Sequence, residues 1–95
     1  MNAEQKAALE RLIAIADQNT GQSRRVADFL LTWWNAAECR GFDFTTMWGC
    51  DTAIVADMVR VFAYIGSHPH YPDTLGYGPP FQSIVRQWRP ELLTS

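Results

Sequence analysis

Val26-Ala27-Asp28-Phe29-Leu30-Leu31-Thr32-Trp33-Trp34-Asn35-Ala36-Ala37 is the stretch that decides the fold. Val26, Phe29, Leu30, Trp33, Trp34 and Ala37 fall at i, i+3, i+4, i+7, i+8 and i+11, the spacing of one broad helical face. Thr20 or Ser23 can cap such a helix, and Gly41 is expected to end it. Trp33 and Trp34 point about 100° apart on a helix, so burying both requires neighbours across a wide arc. Other helices must supply them.

They are found on either side. Asn2 and Gln5 form a capping-box pattern ahead of Leu9, Leu12, Ile13 and Ala16, which share one helical face. That first helix should close around Asp17 to Asn19. After Gly41, Asp43 can cap a short turn through Met47 and Trp48, broken at Gly49. Asp51 then has the place of a cap for a third helix, with Ile54, Met58, Val61, Phe62 and Ile65 as its stripe and Gly66 as its stop. Ser67 to Pro80 holds Pro69, Pro72, Gly76, Gly78, Pro79 and Pro80, and reads as a loop. Pro80 suits the first turn of a last helix whose stripe is Phe81, Ile84, Val85 and Trp88. Pro90 ends it, and the tail from Glu91 should fray. No strand-like alternation or internal repeat competes. The expected architecture is all-α: one domain over 1–95, a small bundle of four main helices plus a short helical turn, with a Pro/Gly-rich loop before the last helix.

Composition agrees. Of 95 residues, 47% are hydrophobic and 19% charged, the balance of a globular chain. A chain this long buries roughly two-thirds of its unfolded surface, enough for one core. The net charge of −2 argues against a general nucleic-acid binder. The first twenty residues carry Glu4, Lys6, Glu10, Arg11 and Asp17, so no signal peptide is expected there. No apolar run has the length of a membrane span. Cys39 and Cys50 make no disulfide framework, and a cytoplasmic protein with reduced thiols is expected.

Chemistry-bearing residues are sparse. Gln22, Ser23, Arg24 and Arg25 open the central helix, where free backbone donors and two guanidinium groups could bind an anion or a partner carboxylate. Two cations there oppose the helix dipole. Asp28, at i+4 from Arg24 and i+3 from Arg25, could offset them by local pairing. Arg86 and Arg89 could add to a basic patch if the last helix packs nearby. Cys39, Cys50, His68 and His70 are zinc-ligand types without a zinc spacing, so no metal site and no cofactor is expected. Cys50, Asp51, Asp57, His68 and His70 offer catalytic groups in no recognised order. Trp34, with Leu31, and the loop rings Tyr71 and Tyr77 are core packing or a partner surface. Trp88, between Arg86 and Arg89, divides the same way.

The runs Thr20-Gly21-Gln22-Ser23-Arg24-Arg25-Val26-Ala27, Trp33-Trp34-Asn35, Asp51-Thr52-Ala53, Tyr71-Pro72-Asp73-Thr74-Leu75-Gly76-Tyr77 and Trp88-Arg89-Pro90 resemble a family of small proteobacterial proteins of unknown function. The resemblance runs from about Leu9 to Leu92. It implies a bacterial cytoplasmic accessory protein, often accompanying mobile genetic elements, and transfers no catalytic or binding residue. The leading expectation is therefore a protein-interaction module, acting as adaptor, regulator or inhibitor, with self-association open. The alternative is anion or nucleic-acid binding at Gln22–Arg25. A small enzyme or metal protein is the third reading.

Overall fold

The computed structural model describes residues 1–93, so the last two residues of the expected domain lie outside the described residues. Four helices run in order: α1 (Ala3–Ala16), α2 (Gly21–Cys39), α3 (Thr52–Ser67) and α4 (Gly78–Trp88). Short 3-10 helices lie at Phe44–Gly49, Pro72–Leu75 and Pro90–Leu93. The fold is all-α, as the periodicity predicts.

Local chemistry explains the boundaries. The Asn2 side chain accepts from the Gln5 amide at 2.7 Å while Gln5 accepts from the Asn2 amide, a complete capping box. Thr20, rather than Ser23, caps α2: its hydroxyl accepts from the Ser23 amide at 3.0 Å. The Ser23 hydroxyl is fully buried beside it at 2.8 Å. At the far end, α2 stops at Cys39 and the positive-φ residue is Arg40 (φ 78°), one position ahead of the Gly41 expected to end the helix.

α1 packs against both α2 and α3, and α4 lies on α2. Leu9, Leu12, Val26, Leu30, Leu31, Met58, Val61, Phe81, Ile84 and Val85 are essentially sealed from water. Burying each large side chain contributes about 1.5–3 kcal/mol. Trp33 packs edge-on against Phe81, with ring centroids 5.9 Å apart.

Two predicted stripes and two boundaries shift. On α2, Leu31 and Cys39 are buried while Ala37 is exposed. Leu31 therefore cannot share a partner surface with Trp34. Beyond Trp34 the register changes at a break at Asn35 (φ −162°, ψ 79°), whose side-chain oxygen accepts from the Glu38 amide and caps a final turn. On α3, Phe62 is exposed, and Asp57 and Tyr64 take the inward arc. α3 rests chiefly on α1, so its buried arc is narrow. The 67–80 loop folds a 3-10 helix at Pro72–Leu75, and α4 begins at Gly78, before Pro80. The tail predicted to fray forms the Pro90–Leu93 turn, with Leu92 partly buried.

Candidate functional site

Asp28 does not offset Arg24 and Arg25. Its carboxylate accepts from the Arg89 guanidinium at 2.8 Å, and this is its ion pair among the described residues. Arg89 also donates to the Cys39 and Trp88 carbonyls. The last helix thus does pack near the start of α2, but it brings an arginine already engaged. Arg86 is exposed.

Gln22 is engaged too. Its side-chain oxygen accepts from the Asp51 amide at 2.7 Å, and its Nε2 donates to the Asp51 carboxylate at 3.2 Å. Asp51, expected to cap α3 through its own side chain, makes no such bond and serves this clasp instead. The clasp places a carboxylate beside the first turn of α2, where negative charge complements the dipole. Of the four predicted residues at this helix start, Gln22 and Ser23 hold the fold together, while Arg24 and Arg25 are left for solvent or a partner.

Arg24 and Arg25 make no ion pair among the described residues. Arg24 is exposed, and the Arg25 guanidinium lies over Gly49, where an added Cβ would stand 2.5 Å from its Cζ. Two shallow clefts meet at Arg24 and Asp28. One, about 330 Å³, is lined by Gly21, Arg24, Arg25, Asp28 and Thr46. The other, about 280 Å³, adds Arg40, Trp88, Arg89 and Glu91.

The chain leaves this cationic end through Arg40 and rises into the Phe44–Gly49 turn. Asp43 fixes the turn: its Oδ1 accepts from the Thr45 hydroxyl at 2.8 Å and the Thr45 amide at 2.9 Å. Those bonds, the hydroxyl's first, hold its carboxyl below the usual range. On this ledge Phe44 is 68% and Trp48 86% exposed. Phe42 beneath packs edge-on with Phe29 and Phe44. Sequence reasoning read Trp48 only as part of a short turn. Two large rings in a six-residue segment, too short to bury both, were the available signal.

The predicted aromatic surface divides. Trp34 and Tyr71 line one cleft. Tyr77 is half-buried elsewhere, its hydroxyl donating to Glu10 at 3.0 Å. Burial first, then the Glu10 bond, pushes its pKa up to about 12. Trp88 is partly buried, its indole N–H donating to the Ala16 carbonyl at 2.8 Å.

The catalytic and metal-ligand candidates scatter. Among the described residues no three His, Cys, Asp or Glu side chains come together as a metal would need. Both thiols are unpaired, and burial pushes both up in pKa. Asp57 is spent on Arg11 and Arg60. His68 stacks on Tyr64 with centroids 4.4 Å apart, and His70 lies 6.4 Å from it.

A family model described as a family of unknown function, DUF7673, matches residues 6–89. The chain belongs to this family. No curated protein and no solved structure matches it. Membership in DUF7673 thus covers nearly the whole helical domain, from α1 to the end of α4. No helix among the described residues is long and apolar enough to cross a membrane.

Proposed function

We propose that this domain is a protein-interaction module whose contact face is the Phe44–Trp48 ledge flanked by Arg24, Arg25 and Arg40. The observation that carries the reading is the exposure of Trp48 (86%) and Phe44 (68%) on one short, side-chain-capped turn. Trp and Arg dominate the energetic centres of interfaces, and a projecting indole is an anchor waiting for a pocket. The three arginines lack ion pairs among the described residues, so the complementary surface is acidic around an apolar hollow. An adaptor, regulator or inhibitor role fits such a face.

The expectation of a bacterial, cytoplasmic accessory protein carried with mobile DNA belongs to this proposal and rests on the resemblance. Two unpaired thiols suit a reducing compartment. The same ledge favours one second reading: exposed rings beside arginines are also how single-stranded nucleic acid is held.

A displayed library of peptides separates the two. Panning the full chain should enrich segments that combine Asp or Glu with large apolar residues. Trp48→Ala should then weaken the best binder by tenfold or more, about 1.4 kcal/mol or above. Arg24→Ala with Arg25→Ala should weaken it mostly at low salt. Absence of enrichment, or indifference to Trp48→Ala, overturns the reading. Tighter, steeply salt-dependent binding of single-stranded DNA or RNA through Trp48 would install the second one.

A further inference from the structure

On another part of α2 the chain builds a cleft of opposite electrostatic character. The break at Asn35 ends the regular helix just after Trp34. Facing it, the Trp33 indole N–H donates to the His70 carbonyl at 3.1 Å and pins the following loop to α2. Tyr71 comes next, its carbonyl accepting from the Thr74 hydroxyl at 2.7 Å as the Pro72–Leu75 turn begins. These bonds fix Tyr71 and Asp73 opposite Trp34. The cleft between them is about 610 Å³, within the range of small-ligand sites.

Its lining carries one charged residue, Asp73, and no cation. The Asp73 carboxylate makes no hydrogen bond or ion pair among the described residues. The Trp34 indole N–H and Tyr71 hydroxyl make none either. Small neighbours, Ala36 and Ala37, leave room beside the rings. Aromatic faces present the negative lobe of their quadrupole, and a carboxylate at the rim adds a full negative charge. A neutral apolar guest would use the rings and gain nothing from the carboxylate. A cation uses both.

We propose that the Trp34–Tyr71–Asp73 cleft is a binding site for an organic cation, a guanidinium or quaternary ammonium group. None of these residues belongs to the Phe44–Trp48 ledge, so the site stands or falls independently of the proposed function.

The test follows the indole N–H resonances of the full chain by NMR. Four tryptophans give four such signals, and Trp34→Phe identifies the relevant one. Choline, N-acetylargininamide and 3,3-dimethylbutan-1-ol, the neutral isostere of choline, are titrated separately. At least one cation should shift the Trp34 signal saturably, with a dissociation constant of about a millimolar, as suits so small a ligand. The neutral isostere should bind about fivefold more weakly or worse, the scale of one cation–π contact plus a carboxylate. Asp73→Asn and Tyr71→Leu, both at exposed positions, should each weaken the cation about threefold or more while leaving the thermal midpoint unchanged. Preference for N-acetylargininamide assigns the site to a protein side chain, and preference for choline to a small molecule or headgroup. No saturable shift from either cation overturns the proposal. So does equal binding of the neutral isostere, or indifference to Asp73→Asn.

Discussion

Asp57 shows how one residue resolves from a catalytic candidate into a structural one. It is 6% exposed on the inward face of α3 and accepts from Arg11 twice at 2.8 Å and from Arg60 at 2.9 Å. The Arg11 bond, foremost, holds its carboxyl below the usual range against the opposing effect of burial. Asp57→Asn should cost about 1–3 kcal/mol, because a charge paired with two arginines is lost while the half-exposed arginines keep water. A carboxyl with a depressed folded pKa stabilises above its unfolded value and loses that contribution as pH falls through the folded one. The gap between native protein and Asp57→Asn should therefore be full at pH 6 and shrink below about pH 4. Denaturant unfolding at a series of pH values checks this. Tyr77 titrates at the other extreme. With its pKa pushed up to about 12, one of the three tyrosines should ionise late in an ultraviolet absorbance titration, and Tyr77→Phe should remove that component. Here the folded value is raised, so the contribution is complete below about pH 10 and lost as pH climbs towards about 12. Neither partner was legible in the sequence. Glu10 and Arg11 lie 67 and 46 positions from the residues they hold, and no local spacing encodes such pairs.

At the scale of elements, the four helices were legible because their apolar spacing and N-terminal caps agree, and local agreement is what a packed helix needs. The stops were less so. Gly41 was the natural stop for α2, yet the chain turns one residue earlier, at Arg40, with φ 78° and ψ 165°. That region is almost exclusive to glycine and costs a side chain about 1–3 kcal/mol. Arg40→Gly should therefore raise stability by about 1 kcal/mol once the added chain entropy of glycine is subtracted. Arg40→Ala keeps the strain and should give no gain. Both variants should weaken an acidic partner if Arg40 belongs to the contact face. Stability rising while binding falls is the signature of strain retained for a function, and a loss of stability in Arg40→Gly would reject it. The outward arc of α3 was misread for a different reason. Periodicity reports an apolar stripe without saying how many neighbours will cover it, and Phe62 is 53% exposed because α1 alone is the chief neighbour.

For the whole molecule, the question is what holds α4 to the rest, since it is the shortest and last of the four α-helices. Its apolar stripe, Phe81, Ile84 and Val85, is buried and was readable. The orientation of its end is set by polar threads that were not: Gln87 to the Gln18 carbonyl, Trp88 to the Ala16 carbonyl, and Arg89 to Asp28 and the Cys39 carbonyl. Each spans at least fifty positions. Arg89 is the junction among them. Its side chain is 16% exposed, and its planar fork reaches a carboxylate and two carbonyls at once. An ammonium on a flexible stem cannot reproduce that geometry. Arg89→Lys should thus cost about 2 kcal/mol, lowering the melting temperature by roughly 10 °C for a domain of this size. Arg89→Gln should cost about the same, so retaining the charge should bring little rescue. The same junction holds the end of α2 from which Arg40 and the ledge depart. Loss of Arg89 should therefore weaken binding at Phe44 and Trp48 without touching either ring, at temperatures well below the new melting point. If Arg89→Lys melts with the native protein, the threads are ornament and the apolar stripe alone positions α4. If it melts early but binds normally, the ledge is independent of the junction, and its rigidity comes from the Asp43 cap and the Phe42 contacts.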